Sequence, residues 1–216
     1  MIRHTRLLRH FIPICLAALA GCSHYSGPPL EDLARANRPQ AIHSALANGA
    51  SVDARNRDGD TPLMEAAKDG SADAAGALIE GGAKIEATDK FQYTPLHWAA
   101  FNGQADVAKL LLDHGANPHS REYTQSTPLS LAAYQGYPEV VALLLAHGAD
   151  PNVLDVKSLT PLQYAARGGY TEAVKELVNH GANLNQRDPE GLTALDLARR
   201  AARADTVKYL EGKMRG

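Results

Sequence analysis

The chain has 216 residues, of which 44% are hydrophobic and 21% are charged. This balance is typical of a folded domain and excludes a disordered chain, which lacks the apolar side chains for a core. The formal net charge of −2, with no basic run, gives no sign of a protein that binds nucleic acid.

The first 21 residues have the composition of a secretory signal peptide. Arg3, Arg6 and Arg9 make a positive start, and an apolar stretch of ten residues follows from Phe11 to Ala20. That stretch is too short to span a bilayer, which takes about 20 apolar residues. A charged start, a short apolar middle and small residues at the end predict export and cleavage of residues 1–21.

The end of this segment, Leu19-Ala20-Gly21-Cys22, resembles the lipobox of bacterial lipoproteins at all four positions. The resemblance implies that signal peptidase II cuts before Cys22 and that the Cys22 thiol carries a diacylglycerol. An ordinary signal peptide with a chance cysteine is the alternative. Cleavage removes three of the 22 basic residues and none of the 24 acidic ones, which leaves a net charge of −5.

Residues 22–27 are predicted to be a lipidated cysteine and a short tether. Five residues after Cys22 reach less than roughly 20 Å, so the folded domain stays beside its membrane. Ser23 resembles the second residue of lipoproteins that are sorted to the outer membrane. We therefore expect the bacterial cell envelope, with the domain on the outer membrane and facing the periplasm.

After the tether, a Thr-Pro-Leu motif recurs every 33 residues. Thr-Pro-Leu begins at four positions, and a fifth copy reads Thr-Ala-Leu; the five threonines are Thr61, Thr94, Thr127, Thr160 and Thr193. A Gly-Ala pair recurs with the same step, at Gly49, Gly82, Gly115, Gly148 and Gly181. Two series with one period predict an array of structural repeats.

Each unit is predicted to be a helix, a turn, a second helix and an extended turn. The threonine can cap the first helix, and proline suits its first position because no N–H is needed there. An alanine pair such as Ala99-Ala100 allows close stacking, and Gly103 is placed to end the helix. Long apolar side chains such as Leu111 follow in the second helix.

This unit is similar to the ankyrin repeat. The resemblance covers residues 28–216 and implies an all-α solenoid of six helix-turn-helix units with short β-hairpin turns. The predicted units are 28–57, 58–90, 91–123, 124–156, 157–189 and 190–216, of which the first and last are degenerate end units. The outer helix of the second unit contains Gly76 and few large side chains, so we expect its layer to pack most weakly.

One turn position holds glycine in some units, but Gln92, Gln125 and Ser158 in the middle ones. If this position needs a positive φ angle, each of these three residues costs about 1–2 kcal/mol. The middle turns are then less favourable than those with glycine.

The histidines before three of the Gly-Ala pairs are predicted to have a structural role. His114, His147 and His180 fall at helix ends, where an imidazole can interact with the last carbonyl groups. Successive units lie about 10 Å apart, too far for two of these rings to share a zinc ion. His97, in the repeat motif, is expected to be a structural hydrogen-bonding residue. No catalytic cluster is evident, so neither an enzyme nor a cofactor is predicted.

The variable positions predict a protein-binding surface, because ankyrin proteins usually bind partners with the hairpin tips and the concave face. Aromatic residues and arginine dominate interface hot spots. The predicted binding residues are Lys68, Phe91, Tyr93, Phe101, Tyr123, Tyr134 and Arg167. Lys68 and Arg167 would favour a partner with an acidic rim, whereas Trp98 is expected in the core. An aromatic side chain at a helix end can equally serve to cover the neighbouring unit.

The leading hypothesis is a membrane-anchored periplasmic protein that binds a protein partner and holds or protects a periplasmic enzyme. An immunity lipoprotein that neutralises a toxin is the first alternative. A metal-binding or enzymatic protein that uses the histidines, and a structural component of the envelope, are the others. The sequence does not identify the partner, since repeat arrays share a scaffold and differ in what they bind.

Overall fold

The computed structural model describes residues 25–215, so the signal peptide, the lipobox and Cys22 lie outside the described residues. Within this range the chain forms helices and no strands. The helices are α1 (Leu30–Arg35), α2 (Pro39–Ala47), α3 (Pro62–Asp69), α4 (Ala72–Glu80), α5 (Pro95–Phe101), α6 (Ala105–Asp113), α7 (Pro128–Gln135), α8 (Pro138–Ala146), α9 (Pro161–Gly168), α10 (Thr171–Asn179), α11 (Ala194–Arg200) and α12 (Ala204–Arg215).

The helices stack in two layers. The odd-numbered helices form an inner layer in which each packs on the next, and the even-numbered helices form an outer layer in the same order. Leu63, Leu96, Leu129 and Leu162 are almost fully buried between the layers. Burying such a side chain contributes about 1.5–3 kcal/mol, so the stability of the array comes from this repeated core.

The threonine of each motif caps an inner helix as predicted. In all five copies its hydroxyl accepts the backbone N–H of the residue three positions later. The alanine pairs are fully buried where successive inner helices meet, as Ala99 and Ala100 are. The glycine after the inner helix has a φ angle of 71° at Gly103 and 79° at Gly136, a conformation that glycine adopts without strain.

The segments between units project as fingers, each a turn of five residues rather than a pair of strands. In the finger between the second and third units the N–H of Asp89 donates to the carbonyl of Tyr93, and the N–H of Gln92 donates to the carbonyl of Asp89. Neighbouring fingers share backbone bonds at single points, such as Tyr123 N–H to Phe91 O at 3.1 Å. The predicted β-hairpins are therefore present as turns, because these few bonds do not form a ladder.

The turn position that carries glycine in two units has a positive φ angle throughout. The angle is 86° at Gly59, and it is 65°, 63° and 57° at Gln92, Gln125 and Ser158. The positive φ angle on which the prediction of strained middle turns depends is confirmed. These three residues adopt a conformation that costs a side chain about 1 kcal/mol or more.

The second unit has the smallest side chains in the outer layer. The buried residues of α4 are three alanines and Leu78, whereas α8 buries two valines and two leucines. A Cβ atom added at Gly76 would have no neighbour within 4 Å. An open groove of about 690 Å³ runs over this helix on the convex side, in line with the weak layer that the sequence predicts.

Candidate protein-binding surface

The concave face carries a row of side chains from the ends of the inner helices. The residue seven positions after each motif threonine lies there, and the five are Lys68, Phe101, Tyr134, Arg167 and Arg200. Tyr134 is 54% exposed, Arg167 and Arg200 are exposed, and Lys68 and Phe101 are half-buried. The row therefore presents accessible side chains mainly in its second half.

Lys68 does not offer a free charge to a partner. Its Nζ atom lies 2.5 Å from an Asp60 carboxylate oxygen and 3.2 Å from Glu65, and 4.4 Å above the indole ring of Trp98. Burial acts to lower the pKa of Lys68, but the hydrogen bond to Asp60 and the charge of Glu65 outweigh it and raise that pKa. The charge of Lys68 is thus balanced by carboxylates of the second unit, and its predicted flanking role stays a prediction.

Trp98 lies at the centre of an aromatic cluster with Tyr93 and Phe101. Its ring centroid is 4.8 Å from that of Tyr93 and 6.3 Å from that of Phe101, which it meets edge-on. The indole N–H donates to a carboxylate oxygen of Asp89 at 3.2 Å. Trp98 is half-buried and packs against the hydrophobic core, so its predicted core position is confirmed in part, and its exposed part adds to the candidate surface.

A second aromatic pair joins the fourth and fifth units. The ring of Tyr134 meets that of Tyr164 edge-on at 5.5 Å, and the Tyr164 hydroxyl donates to Asp155 at 2.5 Å. Burial and the Asp155 carboxylate raise the pKa of Tyr164 far above its usual value. Tyr164 was not among the predicted binding residues, although it occupies the same repeat position as Trp98.

The finger tips of the middle units carry a group of exposed apolar side chains. Phe91 is 53% exposed, Tyr123 76% and Val156 59%, and Leu154 adds to the same edge. We call these four residues the fingertip ridge. Exposed apolar side chains grouped on one edge are typical of interaction sites. Val156 and Leu154 were missed from the sequence because aliphatic residues in a turn carry no motif.

The three outer histidines take the helix-end role that the sequence predicts. Nδ1 of His114, His147 and His180 lies 2.8, 2.8 and 2.9 Å from the carbonyl oxygen four residues earlier. Since a carbonyl only accepts, each Nδ1 carries a proton and donates it. Within residues 25–215 no three histidine, cysteine or acidic side chains are grouped as a metal site requires.

His97 is fully buried at the third position of α5. Its Nδ1 accepts the N–H of Thr94 at 3.2 Å and completes the cap of that helix. The structural role predicted for His97 is therefore confirmed. None of the helices in residues 25–215 has the length and apolar character needed to cross a membrane.

Helix pairs stacked in register, with fingers projecting along one edge, define a solenoid repeat protein. The family model described as Ankyrin repeats (3 copies) matches residues 30–122, 78–155 and 129–213. The chain thus belongs to the ankyrin-repeat family, whose members are typically protein-interaction modules and not enzymes. No curated protein matches the chain.

Proposed function

We propose that this protein is a lipid-anchored ankyrin-repeat module of the bacterial envelope that binds a protein partner in the periplasm. It binds through the fingertip ridge and the concave face, and it holds or protects a periplasmic enzyme. The observation that carries the proposal is the grouping of exposed aromatic side chains on these two surfaces. Phe91, Tyr123 and Tyr134 are each more than half exposed, whereas the leucines of the repeat motif, such as Leu96, are buried.

The anchor is supported by the lipobox and by the cysteine content. The chain has two cysteines, of which Cys15 leaves with the signal peptide, and Cys22 would be acylated. The proposal predicts that Cys22→Ser leaves the protein soluble after cell lysis, whereas the unchanged protein sediments with the outer membrane. Unchanged processing and membrane association of the variant would contradict the lipoprotein assignment.

Photo-crosslinking in intact cells tests the binding surface. A crosslinking amino acid at Tyr123 or Tyr134 should join the protein to one partner, and the same group at Lys109 should not. Lys109 is a suitable control because it is exposed on the outer helix α6 and is paired with Asp113. Equal crosslinking from Lys109 would contradict the proposed surface.

Replacing Tyr123 and Tyr134 by alanine measures how much the two side chains contribute to partner binding. Truncating one interface hot spot costs about 2 kcal/mol or more, so Tyr123→Ala with Tyr134→Ala should weaken partner binding at least roughly 30-fold. The melting temperature should change little, because both side chains lie mostly in solvent. A large loss of stability would instead assign these residues to packing between units.

A further inference from the structure

A cleft opens on the concave face beside the fifth and sixth units. It consists of two adjoining hollows of about 460 and 400 Å³, which share Lys157, Leu159, Tyr164 and Arg167. One hollow extends to Arg200, and the other extends to Tyr134 and Arg203. We call this the basic cleft, defined by Lys157, Leu159, Tyr164, Arg167, Arg200 and Arg203.

Three cations of the basic cleft have no carboxylate partner. Among residues 25–215, no carboxylate oxygen lies within 4.0 Å of the side-chain nitrogens of Lys157, Arg167 or Arg203. Arg200 differs, since it pairs with Glu190 at 2.6 Å. An unpaired cation on the wall of a cleft binds an anion at a lower free-energy cost than a cation whose existing ion pair must first be broken.

Asp188 and Glu190 also line the first hollow, and Glu190 is the partner of Arg200. Asp155 and Asp188 accept hydrogen bonds within their own turns. Asp155 accepts the backbone N–H groups of Lys157 and Leu159, at 2.9 and 3.0 Å, and its other oxygen accepts the Tyr164 hydroxyl. Asp188 accepts the backbone N–H of Glu190 at 2.9 Å in the same way. The carboxylates of Asp155 and Asp188 order the fingers and form no ion pair with the cations of the cleft.

Acidic and basic residues are unevenly distributed along the array. Residues 58–156 contain 14 acidic and 5 basic residues, whereas residues 157–216 contain 7 acidic and 10 basic residues. The cation at the acidic end of the concave row, Lys68, is neutralised by Asp60 and Glu65. The end with Arg167 is therefore the end of the row that favours a negatively charged ligand.

We propose that the basic cleft binds an acidic segment of the protein partner. Its carboxylates pair with Lys157 and Arg167, and its apolar side chains lie against the rings of Tyr134 and Tyr164. Arginine suits this task because its planar group can hold a carboxylate with two hydrogen bonds. This inference rests on the proposed protein binding. It adds the chemistry of the bound segment and its direction, because the acidic part of the segment lies toward the sixth unit.

Labelled peptides and the purified full chain test the cleft directly. The probe is a fluorescein-labelled decapeptide of alternating glutamate and tyrosine, and the matched peptide has glutamine in place of glutamate. Fluorescence anisotropy should show binding of the glutamate peptide at least about tenfold tighter than the glutamine peptide. Equal binding of the two, or no binding of the glutamate peptide at about 1 mM, would overturn the proposal.

Charge-reversal variants test where the glutamate peptide binds. Lys157→Glu with Arg167→Glu should weaken binding of the glutamate peptide at least about tenfold, since both unpaired cations are replaced by anions. Lys109→Glu with Lys175→Glu changes the net charge equally on the outer helices and should leave the affinity unchanged. Equal losses of affinity in the two double variants would show that the peptide does not bind at the basic cleft. Lys157 and Arg167 are exposed, so circular dichroism should find the first variant folded.

The crosslinked partner separates this inference from the proposed function. With the crosslinking amino acid at the exposed Phe91, which neither variant changes, loss of crosslinking in both the tyrosine variant and the Lys157, Arg167 variant supports the acidic segment. Loss in the tyrosine variant alone keeps protein binding and refutes the acidic segment. Crosslinking that survives in both refutes the binding surface and the cleft together.

Discussion

His97 makes the stability of the third unit dependent on pH. The ring is fully buried, and its Nδ1 accepts the Thr94 N–H, so the proton of the neutral ring is on Nε2. Nε2 faces the carbonyl groups of Ser126 and Ser120 without reaching a well-formed hydrogen bond. Protonation of Nδ1 would remove the acceptor for Thr94 and place a charge in the core.

The size of the effect follows from the pKa of His97. Burial lowers this pKa from 6.5 to about 4, against the opposing influence of the nearby carbonyl groups and of Glu122 and Asp89. Since the pKa is lower in the folded state, stabilisation is complete above pH 6.5 and is lost as the pH falls toward 4. Between pH 7 and pH 5 the folded chain loses about 2 kcal/mol from this group alone.

The fifth unit provides the matched variant. Gln163 occupies the same repeat position, accepts the N–H of Thr160 at 2.9 Å, and donates to the carbonyls of Gln186 and Leu192. His97→Gln should therefore preserve the cap and remove the titration, whereas Gln163→His should add a second one. Urea unfolding followed by circular dichroism at pH 7, 6 and 5 measures both.

The wild type should lose about 2 kcal/mol more than His97→Gln between pH 7 and pH 5, and Gln163→His should lose more than the wild type. Carboxylates are present in all three proteins, so the differences isolate the histidines. If His97→Gln and the wild type lose equal stability over this range, the burial of His97 does not lower its pKa in the folded chain.

Three further substitutions test the backbone and packing, each by urea unfolding at pH 7. Gly76→Ala should stabilise the chain by about 1 kcal/mol, because the new methyl meets nothing and glycine is a poor helix former; no gain would show that α4 needs a glycine. Gln125→Gly should stabilise by about 0.5–1 kcal/mol by relieving a φ angle of 63°; destabilisation would contradict the strained turn. Gly136→Ala should cost more than Gly148→Ala, because both have a positive φ angle but only the first places a Cβ 2.3 Å from the ring of Tyr170; equal losses would show that Tyr170 moves aside.

The fold was predictable because its determinants are local and repeated. The period of 33 residues, the capping threonine and the helix-ending glycine each act within one unit, and Thr94 and Gly103 take the predicted roles. The strain at Gln125 was predictable for the same reason, since Gly59 and Gly191 mark the position in other units. Comparing the repeats of this chain with one another provides this information without a homologous sequence.

The binding surface was less predictable because it depends on contacts between units. The register places Lys68 and Arg167 in one row, yet only the structure shows that Asp60 and Glu65 hold Lys68. Trp98 shares its repeat position with Glu65, Leu131, Tyr164 and Leu197, a mixed set that does not separate a core position from a surface position. The cleft beside Arg167 has no sequence motif, because fingers and helices of successive units form it together.

The finger carboxylates connect the two parts of the candidate surface. One oxygen of Asp89 accepts the N–H groups of Phe91 and Tyr93 at the finger tip, and the other accepts the Trp98 N–H on the concave face. Asp155 makes the corresponding bonds, to its own finger and to Tyr164. Ordering these side chains before a partner arrives lowers the entropy that binding must overcome. The structural carboxylates of the repeat thus set the position of the aromatic groups that the proposed function uses.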